Sequence, residues 1–131
     1  MLTTGMSSQL KIKVSEAITA ESVGSGDCPV FATPSMIALV EKTAATLVSP
    51  HLAEGETSVG TFIDASHLAA TPVGMEVSAE IVLKSADGRE LNFDFKVFDE
   101  AGLIGEGTHT RFIVNKARFT EKANLKLNRE E

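Results

Sequence analysis

The chain has 131 residues, 43% of them hydrophobic and 23% charged, with a formal net charge of −6 at pH 7. This describes one globular domain able to bury a core. No apolar run approaches the roughly 18 residues of a membrane span. The acidic balance and the lack of Trp and Tyr exclude the general attraction and the stacking platforms of a nucleic-acid binder.

A phosphate-bearing ligand would need a local basic patch. Met1 to Leu10 lack the basic-then-apolar order of a secretory signal. The single cysteine, Cys28, excludes an intramolecular disulfide and a CxxC metal site. It fits a reducing environment, so a cytoplasmic protein is expected.

Leu10, Ile12 and Val14 alternate and predict a strand over residues 9–18. Residues 21–29, with Gly24, Ser25, Gly26 and Asp27, read as a loop. A helix then opens at Thr33, with the threonine expected at the N-cap and Pro34 at the first helical position. It runs to about Ser49, before Pro50. On it Met36, Ile37, Val40, Ala44, Leu47 and Val48 form one stripe, with Lys42 pointing away.

A turn at Gly55 leads into a long strand over residues 57–70, ended by Thr71-Pro72-Val73-Gly74. Strands over 75–84 and 91–99 form a hairpin about Asp87-Gly88. A last strand covers 103–115, and the charged tail over 120–131 is loose or a short frayed helix. The order is strand, helix, then four strands, which gives an α+β domain with a five-stranded antiparallel sheet around one helix. A single helix covers one sheet face, so the open face and edges favour dimerisation.

Three side chains carry the chemical signal. Glu41 lies at the shoulder of the apolar stripe, beside Ile37, Ala44 and Val48, where a carboxylate is partly desolvated or needs a partner. The ordinary alternative is a boundary glutamate reaching solvent or Lys42. His67, grouped by alternation with Val59, Thr61, Ile63 and Ala65, points to the more apolar side and can move a proton near neutral pH. Its alternative is a buried neutral histidine satisfied by backbone. Thr33 is explained by capping, although its hydroxyl would stand where helix amides favour negative charge.

Gly60, inside a strand, marks either a bulge or a close approach of substrate to the main chain. His51 reads as a surface residue, and His109 could face either way. The three histidines form no HxH or HExxH pattern, so no metal site is expected. No nucleophile-elbow or phosphate-loop motif is present.

Several segments together carry a resemblance. Val30-Phe31-Ala32-Thr33 leads into a helix bearing Met36 and Glu41. Glu54-Gly55-Glu56 and Val59-Gly60-Thr61 precede Ser66-His67-Leu68-Ala69-Ala70-Thr71-Pro72. Gly105-Glu106-Gly107-Thr108-His109-Thr110-Arg111 comes last, followed by Lys116 and Phe119. The pattern resembles the fluoroacetyl-CoA thioesterase-like family of hotdog-fold proteins.

The resemblance implies a hotdog fold, commonly dimeric with sites between subunits. It also implies thioester hydrolysis by a Thr/Glu/His constellation, here Thr33, Glu41 and His67 meeting in one dry crevice between two protomers. Gly60 and Phe31 would lie against the substrate. Arg111 and Lys116 are candidates for the CoA phosphates, with solvated surface cations as the alternative. The expected cofactor is none, coenzyme A being part of the substrate.

The fluoroacetyl-specific member carries a longer, aromatic-bearing lid before its catalytic helix. Residues 21–30 here are short and lack an aromatic, which implies a different acyl chain. A non-catalytic acyl-CoA-binding module and a hotdog enoyl-CoA hydratase or dehydratase are the other readings of the same fold.

Overall fold

The computed structural model describes residues 1–128. Five strands form one antiparallel sheet: β1 (Ser7–Lys13), β2 (Glu56–His67), β3 (Glu76–Asp87), β4 (Glu90–Asp99) and β5 (Gly102–Asn115). Their spatial order is β1-β3-β4-β5-β2, so β1 and β2 are the two edges. A short helix α1 (Ala20–Val23) and a long helix α2 (Thr33–Val48) lie between β1 and β2, and α3 (Lys116–Asn124) follows β5.

Alternation in β3 and β4 explains the core. Val77, Ala79, Ile81 and Leu83 point inward, and Leu91, Phe93, Phe95 and Val97 do so from β4. These rows meet in register as Ala79↔Val97, Ile81↔Phe95 and Leu83↔Phe93. α2 lays Met36, Leu39, Val40, Ala44 and Val48 onto them, all at most 4% exposed. Burying each such side chain contributes about 1.5–3 kcal/mol for the larger ones. Thr43 also sits in this buried stripe because its hydroxyl bonds back to the Leu39 carbonyl at 2.7 Å.

Two glycines of β5 permit close approaches, Gly105 to α2 and Gly107 to the neighbouring β2. A Cβ on Gly105 would stand 2.7 Å from Met36 Sδ, and one on Gly107 would overlap the Asp64 carbonyl oxygen. The result is the hotdog arrangement, one long helix held by a curved five-stranded sheet.

The first strand ends at Lys13, and Glu16–Ile18 form a 3-10 turn instead of continuing it. Part of the expected loop at 21–29 is α1, capped by the Thr19 side chain and ended by Gly24 at φ 79°. Ala32, not Thr33, is the N-cap of α2, which places Pro34 in the second helical position. Leu39 and Thr43 join the buried stripe, while Ile37 and Leu47 are only half-buried. The β3–β4 turn falls on Gly88-Arg89, one residue later than expected. α3 and a 3-10 turn at Leu125–Asn128 occupy most of the tail, and its last positions, 129–131, lie outside the described residues.

The two edges differ. β1 carries Lys11 and Lys13, charges that discourage strand addition. β2 has twelve residues, no lysine or arginine, and Phe62 56% exposed.

Candidate active site

Residues 30–32 are pinned to the body of the domain before α2 begins. The Phe31 amide donates to the Thr71 carbonyl at 2.8 Å and the Ala32 amide to the Ile18 carbonyl at 2.9 Å. Val30 bridges Pro72, and Phe31 bridges Thr19. This fixes the first residue of α2 opposite the end of β2. The Thr33 hydroxyl therefore lies 2.7 Å from His67 Nδ1, in place of the capping bond expected of it.

Phe31, fully buried, meets the His67 ring edge-on with centroids 6.3 Å apart. Burial pushes the His67 pKa below its ordinary value, and the Ala69 backbone opposes this in part. Nε2 is buried without a hydrogen-bond partner among the described residues. The pair opens onto a cleft of about 270 Å3 whose other walls include Ala20, Ser25, Val30 and Ala69.

Glu41 stands elsewhere. It is eight residues beyond Thr33, a rise of about 12 Å along the helix, and its carboxylate lies over Gly60. A Cβ on that glycine would be 3.4 Å from Glu41 Oε1, 3.4 Å from Arg111 Nη1 and 3.1 Å from His109 Cε1. Gly60 is thus a point of close approach, and it also adjoins a bulge. Gly60 pairs with Arg111 and Phe62 with Thr110, leaving Thr61 without a partner in the register.

The extra residue changes the strand's parity. Ser58 and Gly60, not Val59 and Thr61, share the helix-facing side with Ile63, Ala65 and His67. Within one chain the hydroxyl–imidazole pair and the carboxylate are therefore two separate groups, about 20 Å apart along β2.

Arg111 is 7% exposed and His109 1% exposed, so neither is a surface residue. Arg111 donates through Nε to Ser58 Oγ at 2.9 Å and through Nη2 to the Ser58 carbonyl at 2.8 Å. Its Nη1 lies 3.2 Å from His109 Nε2, and His109 Nδ1 lies 2.8 Å from the Phe62 carbonyl. A guanidinium only donates and a carbonyl only accepts, so His109 is neutral with its proton on Nδ1. Burial lowers its pKa; the Arg111 charge adds to that, against the Phe62 carbonyl and Glu41. Burial also lowers the Arg111 pKa, and the Glu41 carboxylate opposes it.

His109 and Ser58 escaped the sequence reading. Their signal was the register of β5: His109 and Arg111 stand opposite Phe93 and Leu91, both buried. Among the described residues no cluster of three His, Cys, Asp or Glu could hold a metal ion, and no helix is long and apolar enough to cross a membrane.

A sheet-wrapped helix with a threonine–histidine pair at its mouth places the molecule among the hotdog-fold thioesterases. The model of the FlK family, described as fluoroacetyl-CoA-specific thioesterase, matches residues 14–117. The fluoroacetyl-CoA thioesterase of Streptantibioticus cattleyicolor is 38% identical over 97 residues, 74% of this chain and 70% of that one.

A crystal structure of a variant of the fluoroacetyl-CoA-specific thioesterase FlK superposes with a TM-score of 0.91 at 31% identity, covering 96% of this chain and 98% of the other. A variant of the same enzyme in complex with acetyl-CoA gives 0.92 at 30% identity, covering 95% and 98%. A thioesterase superfamily member from Thermus thermophilus gives 0.86 at 27%, covering 96% and 93%. The chain belongs to the FlK family of thioesterases.

Proposed function

We propose that the protein hydrolyses a short acyl-CoA, or a related acyl thioester, at a site completed by two copies of the chain. The observation that carries this reading is the Thr33–His67 contact beside a cleft, in a family of acyl-CoA thioesterases. The open β2 edge supports the pairing of copies. Antiparallel association of two β2 strands about a two-fold axis at Asp64 sets His67 of one copy opposite Gly60 of the other. Glu41 and Arg111 of the second copy then face Thr33 and His67 of the first.

His67 with its proton on Nε2 presents the Nδ1 lone pair to Thr33. It accepts a proton from the threonine hydroxyl, or from water in its place, as oxygen attacks the thioester carbonyl. Glu41 from the other copy acts as nucleophile or as the base that orients water. The first turn of α2 offers backbone amides to the developing oxyanion, helped by the helix dipole. The expelled thiolate takes the proton held by His67, leaving CoA and, where water attacked, the free acid. An acyl group taken up by Thr33 or Glu41 is released as free acid when His67 activates a water in a second step. The cleft walls, Ala20, Ser25, Val30 and Ala69 around Phe31, suit a small acyl group, and no second aromatic from residues 21–30 closes over it.

The test is hydrolysis of a panel of short acyl-CoAs by the wild type, Glu41→Ala, His67→Ala and a refolded mixture of the two variants. Both variants are expected to lose activity. The mixture regains about a quarter of the wild-type rate, because half of the dimers are mixed and each holds one intact site. Full rates in either single variant end the assignment. A mixture no more active than its parts overturns the site shared between two copies.

A further inference from the structure

Coenzyme A ends in an adenosine carrying a pyrophosphate and a 3′-phosphate, yet this chain has a net charge of −6. Arg111 does not supply the compensating charge at the surface, since it is buried and committed to Ser58 and His109. We propose that the groove between α3, the end of β5 and the β3–β4 turn binds the adenosine-phosphate end of the substrate. The proposal rests on the acyl-CoA reading above.

The groove encloses about 380 Å3, within the size range of small-ligand sites. It is lined by Ile113, Val114, Asn115 and Phe119 together with the cations Arg89, Arg118 and Lys122. Phe119 is 47% exposed and offers a ring face to an adenine. The sign of charge reverses here. Residues 113–128 hold Lys116, Arg118, Lys122 and Lys126 against the single carboxylate Glu121.

Arg118 and Lys122 form no ion pair with any described residue. Arg89 is held in place by Glu56 at 3.1 Å and by the Ile113 carbonyl at 3.2 Å, while its side chain stays 59% exposed. The placement suits a bound thioester. Asn115, at the groove, pairs with Glu56, four strand positions from the Gly60–Arg111 pair, a span of about 13 Å. A pantetheine arm bridges that span along the β2–β5 pair, with the thioester at the Glu41 end.

Calorimetry with CoA, dephospho-CoA and adenosine 3′,5′-bisphosphate tests the groove independently of turnover. It is run on the wild type, Arg118→Glu with Lys122→Glu, and Phe119→Ala. The double charge reversal should weaken CoA at least tenfold and abolish the preference for CoA over dephospho-CoA. Phe119→Ala should weaken all three ligands severalfold. In kinetics the double variant should raise KM for an acyl-CoA while kcat, and KM for the matching acyl-pantetheine, stay unchanged.

If the charge reversal perturbs the fold, Arg118→Gln with Lys122→Gln should give the same ranking. Equal CoA affinity in wild type and variants overturns the proposal, as does an equal loss for the pantetheine ester. CoA binding that depends on these cations without thioester hydrolysis would instead leave the groove standing and refute the activity.

Discussion

Arg111 donates to His109 Nε2 at 3.2 Å, and His109 passes a hydrogen bond of 2.8 Å from Nδ1 to the Phe62 carbonyl. The imidazole links the guanidinium beneath Gly60 to the strand residue just after the bulge. Replacing it with leucine leaves Arg111 Nη1 and the Phe62 carbonyl unpaired in a buried place. His109→Leu should cost about 2 kcal/mol, read as a lower midpoint in urea. It should also raise KM through the loosened Arg111.

Acid should destabilise the protein through the same buried rings. His67 and His109 both have pKa values lowered from the ordinary 6.5, burial being the main cause. The unfolded chain therefore binds more protons between each folded-state pKa and 6.5, and stability rises with pH across that window. Stability is complete above 6.5, falls as pH falls below it, and levels off under the folded-state values. Urea midpoints from pH 4 to 8 for the wild type and His109→Gln check this, the variant showing the shallower acid slope. Rates should follow the same sign: the acid limb of kcat/KM, set by neutral His67, should lie below 6.5.

Thr33 separates capping from chemistry. Its hydroxyl contacts His67 and does not cap α2. Thr33→Ala should change stability by less than about 0.5 kcal/mol and lower kcat by about a hundredfold. Thr33→Ser, which keeps the hydroxyl, should retain most of the rate. A thermal melt and a steady-state assay on the same samples decide it.

The glycines of β5 should rank by what their new methyl groups meet. Gly107→Ala drives Cβ into the Asp64 carbonyl, a backbone atom that cannot step aside, whereas Gly105→Ala chiefly meets the flexible end of Met36. Gly107→Ala should cost about 3 kcal/mol or more and Gly105→Ala less. Urea denaturation gives both values.

The uncovered edge is testable with one charge. Phe62→Glu places a carboxylate on the exposed β2 strand, where two copies would meet. It should shift sedimentation from dimer to monomer and lower activity in parallel, with little change in the melting curve of the chain itself.

Much of this fold could be read from residues alone, because alternation and helical spacing report burial directly. Val77 to Leu83 and the Met36–Val48 stripe are cases where one face is dry and the other wet. The misses have local causes. Thr33 next to Pro34 fits a cap by residue type, but the bonds of Phe31 and Ala32 to Thr71 and Ile18 decide where the helix begins. Counting by twos along β2 placed Thr61 on the inner side, since a bulge leaves no mark on composition. Arg111 read as a phosphate contact, or else a solvated cation, because an arginine buried on Ser58 and His109 looks, in sequence, like any other arginine. Thr33, Glu41 and His67 were legible as residue types in a pattern; the separation of Glu41 from the other two depends on strand geometry.

Thr61 is a residue that the β2–β5 ladder does not use. Deleting it would leave plain alternation, with Ser58 and Gly60 still inward beside Ile63, Ala65 and His67. The residue therefore lengthens the strand without choosing its faces, and trimming it would let Arg111 keep its anchor at Ser58.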